Sequence, residues 1–226
     1  MSQDNEKRIA AESAASMVHD GMIVGLGTGS TAEFAIARLG EKVRGGLRIK
    51  GVPTSERTAN RARNERIPLL DFSQVTRLDM ALDGADEFDP ALNLIKGGGG
   101  ALFREKIVAA AADKLVIFAD SSKQVEKLGR FPLPVEVNPF GWQVTLEKIK
   151  ALCPEVTLRG GSDKPFVTDN HGYIIDCGFG QIDDPAELER QLKSIVGVVE
   201  TGLFVGMAQF VCLGRGDKVE VLKPRA

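Results

Sequence analysis

The sequence predicts an α/β fold, a parallel sheet covered by helices, joined to a smaller α+β unit. Three observations carry this. Short apolar runs alternate with amphipathic helical segments through the first half. The pattern changes near Gly129, where Phe131 to Phe140 carries three prolines. After a hairpin signal and one more helix, the tail from Leu203 to Leu222 returns to strand-like runs. Strand–helix alternation builds parallel sheets buried on both faces, with right-handed connections.

Taken in order, Met22 to Leu26 is a buried-strand run and Ser30 to Val43 a helix. Ile49 to Val52 is a second strand, followed by a polar helix over about Ser55 to Glu65. Met80 to Leu82 and Leu115 to Phe118 are further strands, with an apolar helix, Ala101 to Ala112, between them. The Pro-rich segment after Gly129 is a poor central parallel strand and marks a boundary. Gly141 to Leu152 reads as a helix. Phe166 to Thr168 and Tyr173 to Asp176 flank the turn residues Asp169 to Gly172. Asp184-Pro185-Ala186-Glu187 supplies an N-cap, a first-position Pro and an acid, starting a helix to about Val196. The expected division is 1–128 plus 203–226 for the large unit and 129–202 for the small one, with the tail rejoining the first sheet.

Composition narrows the function. A chain of 226 residues with 43% hydrophobic side chains supports its own core. The net charge of −2 gives no basic footprint for nucleic acid. Cys153, Cys177 and Cys212 have no CxxC spacing and read as reduced thiols of a cytoplasmic protein. The two histidines, His19 and His171, form no ligand pair, so no metal site is expected. The polar start, Met1 to Arg8, predicts no secretory signal, and no apolar run is long enough to span a membrane.

Four unusual segments fall where strands end or helices begin, which is where open parallel sheets bind ligands. The first is Gly25-Leu26-Gly27-Thr28-Gly29-Ser30-Thr31. Glycines and a helix N-terminus suit a phosphate, with hydroxyls from Thr28, Ser30 and Thr31. It lacks the third Gly of a dinucleotide fingerprint and the GK[ST] of a P-loop. A tight turn with a Ser/Thr cap is the plainer alternative. The second, Asp83-Gly84-Ala85-Asp86-Glu87, is a solvated acidic loop, a cation site or a set of acceptors for sugar hydroxyls. The third is Lys96 followed by Gly97, Gly98, Gly99 and Gly100, either a hinge or a backbone shaped around a ligand. The fourth, Asp120-Ser121-Ser122-Lys123, offers a lysine to a phosphate or simply to solvent.

Glu105 is the sharpest candidate. Its helical neighbours Ala101, Leu102, Val108 and Ala109 cannot pair with it. Arg104, Glu105 and Lys106 sweep about 200° of the helix, so they do not share one solvent stripe. A carboxyl facing a cleft from such an apolar helix has its pKa raised by desolvation, which prepares a general base. An ion pair with a distant cation is the competing reading.

GLGTGST, DGADE, LIKGGGGALFREK and DSSK, with FPLPVEVNPFGW, PFVTDN and GVVETGLF further on, resemble the type A ribose-5-phosphate isomerases in order and spacing over nearly the whole chain. One departure is Val196, where that family usually has Pro. The resemblance implies a Rossmann-like large domain, an inserted ferredoxin-like small domain, and a homodimer or dimer of dimers. It implies cofactor-free interconversion of D-ribose 5-phosphate and D-ribulose 5-phosphate in the pentose phosphate pathway. By motif position, Glu105 is the proton acceptor. Thr28, Gly29, Ser30, Thr31, Asp83, Gly84, Ala85, Asp86, Lys96, Gly97, Gly98, Gly99 and Lys123 line the substrate site, with Lys7 adding charge for the phosphate. The expected chemistry has Asp83 helping to open the furanose ring, Glu105 moving the proton from C2 to C1, and Lys96 with the glycine amides stabilising an enediolate. A sugar-phosphate deaminase or lactonase, and a non-enzymatic sugar-phosphate sensor, are the rival classes. The first would call for a histidine near these motifs. The second has no need of Glu105 and Lys96 together.

Overall fold

The computed structural model describes residues 2–153 and 155–224. In chain order the elements are α1 (Gln3–Ser16), β1 (Ile23–Leu26), α2 (Ser30–Arg44), β2 (Lys50–Pro53), α3 (Glu56–Asn64), β3 (Met80–Asp83), β4 (Glu87–Phe88), β5 (Leu94–Ile95), α4 (Leu102–Ala111), β6 (Leu115–Asp120), β7 (Leu133–Val137), α5 (Trp142–Lys150), β8 (Val156–Leu158), β9 (Tyr173–Cys177), α6 (Pro185–Lys193), β10 (Val198–Thr201), β11 (Leu203–Phe204), β12 (Ala208–Arg215) and β13 (Lys218–Leu222).

The main sheet runs β13-β12-β6-β3-β1-β2. All its neighbours pair in parallel except β13, which turns back along β12. The tail therefore rejoins the first sheet. Alanines 10, 11, 14 and 15 form the buried face of α1, and they join Ala35, Ile36 and Leu39 of α2 over one side of this sheet. Val108 and Ala109 of α4 cover the other side, with Phe88, Leu94 and Phe204. Those three residues belong to a small antiparallel sheet, β11-β5-β4. Chain connectivity reverses between β1 and β3: β2 lies on one side of β1, while β3 and β6 lie on the other. A crevice beyond the carboxyl ends of the strands is expected at such a reversal.

The segment β7-α5-β8-β9-α6-β10 forms its own four-stranded sheet, ordered β10-β7-β9-β8, with every pair antiparallel. This βαββαβ order is that of a ferredoxin-like unit. Asp184 caps α6 by accepting from the Glu187 amide, as the sequence predicts.

Three details differ from expectation. The polar N-terminal stretch is the start of a 14-residue helix, capped by Ser2. The Pro-rich boundary contains β7, an interior strand of the small sheet, and Pro134 sits within it. The predicted hairpin shrinks to a single bridge between Val167 and Tyr173, because β9 takes its ladder partners from β7 and β8. No helix among the described residues is long and apolar enough to cross a membrane.

Candidate active site

The loops after β1, β3 and β5 and the start of α4 converge on one cavity at the sheet reversal. Thr28, Gly29, Ser30, Thr31, Gly84, Ala85, Asp86, Lys96, Gly97, Gly99, Glu105 and Lys123 line it, together with Lys7 and Ala32. Of the site residues predicted from sequence, only Asp83 and Gly98 are not on its wall. Asp83 lies behind Lys96, and Gly98 turns its amide to Asp86.

One end of the cavity is built for an anion. Gly29 has φ +131° and offers no side-chain cap, so α2 begins with its first amides at the cavity. Unpaired N–H groups and the helix dipole favour negative charge there. Two ammonium groups face the same end. Lys7 comes from α1, where its Nζ lies 3.8 Å from the exposed Asp4 carboxylate, and Lys123 comes from the turn after β6. Glu6 holds these two segments together. Its carboxylate accepts from the Ser121 amide (3.0 Å) and hydroxyl (2.7 Å) and from the Gly216 amide (2.7 Å). Sequence reading missed that clamp because it missed α1. The small-residue spacing of Ala10, Ala11, Ala14 and Ala15 behind a Ser2 cap is the signal that would have found it.

The other end is a buried charge cluster. Lys96 Nζ donates to the Gly84 carbonyl (2.7 Å) and lies 3.0 Å from Asp83 Oδ2 and 3.3 Å from Glu105 Oε2. The three side chains are 3%, 5% and 4% exposed for Lys96, Asp83 and Glu105. Asp83 also accepts from the Gly84 and Thr28 amides. Gly27 makes room for this: a Cβ there would stand 2.1 Å from Asp83 Oδ1. Glu105 Oε2 is buried without a well-formed hydrogen bond.

Burial pushes the Glu105 carboxyl up to about 8. Lys96 opposes that rise, and the nearby negative charges of Asp83 and Asp86 reinforce it. Asp83 is raised by burial too, again against the pull of Lys96. Burial works against the Lys96 charge, but Asp83 and Glu105 outweigh it and lift its pKa above the ordinary lysine value. So both readings of Glu105 hold at once: it is desolvated, and it has a distant cation as its neighbour. The three acids of the DGADE segment do not share a site. Asp83 goes to Lys96, and Asp86 accepts from the Gly98 amide (2.7 Å). Glu87 is buried against the amides of Gly129 and Phe131.

The family model described as ribose 5-phosphate isomerase A (phosphoriboisomerase A) matches residues 50–218. A ribose-5-phosphate isomerase A of Gloeobacter violaceus is 54% identical over 228 residues, covering 100% of this chain and 99% of its own. A solved D-ribose-5-phosphate isomerase in complex with phospho-erythronic acid superposes with TM-score 0.94 at 41% identity, covering 99% of this chain and 100% of that one. The ribose 5-phosphate isomerase A of Neisseria gonorrhoeae gives TM-score 0.94 at 38% identity, over 100% of this chain and 99% of that one. The chain belongs to the ribose 5-phosphate isomerase A family.

Proposed function

We propose that this chain interconverts D-ribose 5-phosphate and D-ribulose 5-phosphate, in the pentose phosphate pathway, by proton transfer through an enediolate. The observation that carries this is Glu105: a desolvated carboxyl, raised to about 8, in the same cavity as a cationic helix N-terminus. The phosphate sits at the α2 amides with Lys7 and Lys123. That remote anchor orients the reacting carbons. Asp83 helps ring opening from behind Lys96, its carboxylate 3.0 Å from the Nζ of a lysine that lines the cavity. Glu105 removes the proton from C2 and returns it to C1. The enediolate oxygens receive Lys96 and the amides of the Gly97–Gly99 loop. A phosphorylated polyhydroxy acid of the kind held by the solved relative presents a phosphate, hydroxyls and a planar carboxylate, the same set of groups in the same order.

We read the working form as a cytoplasmic homo-oligomer, a homodimer or dimer of dimers. Three free thiols support a reducing compartment. Exposed Phe140, Val144 and Val196 support self-association. A coupled assay for ribulose 5-phosphate with EDTA present tests the activity. Turnover unaffected by EDTA is expected. Absence of product would favour a sensor, and EDTA sensitivity a metal enzyme.

A further inference from the structure

Resting on the isomerase reading, we propose that Arg159, from the small sheet's side of the molecule, is a positioning residue that sets the direction of the Gly98 and Gly99 amides at the cavity. Arg159 follows β8, and its guanidinium is gripped by Asp176 of β9: Nε to Oδ2 at 2.9 Å and Nη2 to Oδ1 at 2.5 Å. The remaining nitrogen, Nη1, donates to two consecutive carbonyls of the glycine loop, Gly97 at 3.0 Å and Gly98 at 3.2 Å. A fork held bidentately on one side has its third nitrogen fixed in direction.

The consequence follows from peptide geometry. In a planar trans peptide the carbonyl and the next N–H point opposite ways. Holding the Gly97 carbonyl outward turns the Gly98 N–H inward, and holding the Gly98 carbonyl does the same for the Gly99 N–H. The first of these amides meets Asp86, which lines the cavity. The second has no protein acceptor among the described residues, and Gly99 lines the cavity. It is therefore a free donor on the side where negative charge develops. The Gly97 carbonyl also accepts from the Gly100 amide (2.9 Å), a turn bond that leaves the Gly98 carbonyl to Arg159 alone among the described residues. Phe166 adds a second brace. Its ring lies 5.7 Å from the Arg159 guanidinium and against Gly100, where φ is +79° and a Cβ would stand 2.5 Å from the ring.

The test uses Arg159→Met, Arg159→Lys and Asp176→Asn in the full chain. Kinetics with ribose 5-phosphate are measured alongside calorimetric binding of phospho-erythronic acid and of inorganic phosphate. Arg159→Met should lower kcat by about 10- to 100-fold, part of the loss seen when one oxyanion donor is removed outright. KM should move by less than about 3-fold, since the phosphate anchor is untouched. Affinity for phospho-erythronic acid should fall in step with kcat, while inorganic phosphate binds as before. Arg159→Lys should recover part of kcat, because an ammonium reaches one carbonyl but cannot fork onto Asp176. Asp176→Asn should fall between the two. A kcat within about 2-fold of wild type in Arg159→Met overturns the proposal, as does an equal loss of phosphate binding, which would mark a general structural role. Should Arg159→Met fail to fold, the lysine and Asp176→Asn variants decide by the same criteria. Failure of the isomerase reading looks different: the unmodified chain would then show no turnover at all.

Discussion

Replacing Glu105 by Gln separates what this carboxyl does in the reaction from what it does to the fold. Burial raises its pKa from 4.5 to about 8, so the folded chain holds this proton more tightly than the unfolded chain does. The stabilisation that follows is complete below the unfolded value and is lost as pH climbs to the folded one. At about 1.4 kcal/mol per pH unit, the wild type gives up about 3 kcal/mol by pH 7 and about 5 kcal/mol above pH 9. Gln is nearly isosteric and neutral throughout, and Lys96 keeps Asp83 at 3.0 Å, so no buried charge is left unpaired. Urea unfolding followed by circular dichroism should therefore find Glu105→Gln more stable than wild type at pH 9, with the gap closing to under about 1 kcal/mol near pH 5. In the coupled assay kcat should fall by about 10²- to 10⁴-fold, the usual contribution of a positioned base. A variant less stable than wild type at pH 9, or a stability difference independent of pH, would show that the carboxyl is not held against its hydration. Near-normal turnover would remove it as the base.

Other perturbations read the remaining parts of the site. Glu105 must be ionised to accept a proton, so kcat/KM should rise with pH and reach half its plateau near 8; a flat profile between pH 6 and 9 contradicts this. Lys96→Met leaves Asp83 and Glu105 buried side by side without their cation, and should cost about 3–5 kcal/mol of unfolding free energy at pH 8 as well as abolishing turnover. Glu6→Ala removes three hydrogen bonds that tie α1 to Ser121 and Gly216, so Lys7 loses its fixed place opposite Lys123. Its KM should rise by about 10-fold with kcat changed far less, and a kcat-only effect would argue against a phosphate role for that end of the cavity. Gly27→Ala drives a methyl into Asp83 and should destabilise by about 1–3 kcal/mol, with loss of activity in step with the displaced carboxylate.

Much of this site is legible in the sequence because its chemistry is concentrated in short segments at strand ends. The run of four glycines, the acidic DGADE turn and a glutamate on an apolar helix are each hard to explain as packing, and strand–helix alternation predicts that they meet at one sheet edge. What is not legible depends on residues far apart in the chain. The pairing of Lys96 with both Asp83 and Glu105 needs the fold, since no helical spacing brings a cation to Glu105. The same holds for Arg159, which reads as one more surface arginine until β8 and β9 carry it to the glycine loop. Helix α1 escaped notice for a local reason. Its buried face is alanine, which carries little hydropathy signal, and its polar first turn looks like a free terminus. Pro134 misled in the opposite direction: a proline argues against a central strand, yet Pro134 stands just past the end of the β10 ladder, where its carbonyl accepts from the Gly202 amide and its missing N–H has no strand partner to lose.

The buried cluster has a property that suits it to an anionic intermediate. In the resting site Lys96 Nζ has three neighbours for its three protons: the Gly84 carbonyl, Asp83 and Glu105. When Glu105 takes the C2 proton, it becomes neutral and its hold on Lys96 weakens, just as negative charge appears on the substrate oxygens. Total charge within the cavity does not change; Lys96 exchanges one anion for another a short distance away. No net charge has to be created in a poorly hydrated space, which is where such creation is most unfavourable. Asp83 stays within 3.0 Å of Lys96 throughout, so the ammonium has one partner to exchange and one to keep. Glu105 is raised despite a cation 3.3 Å away because burial outweighs Lys96, and the charges of Asp83 and Asp86 add to the rise.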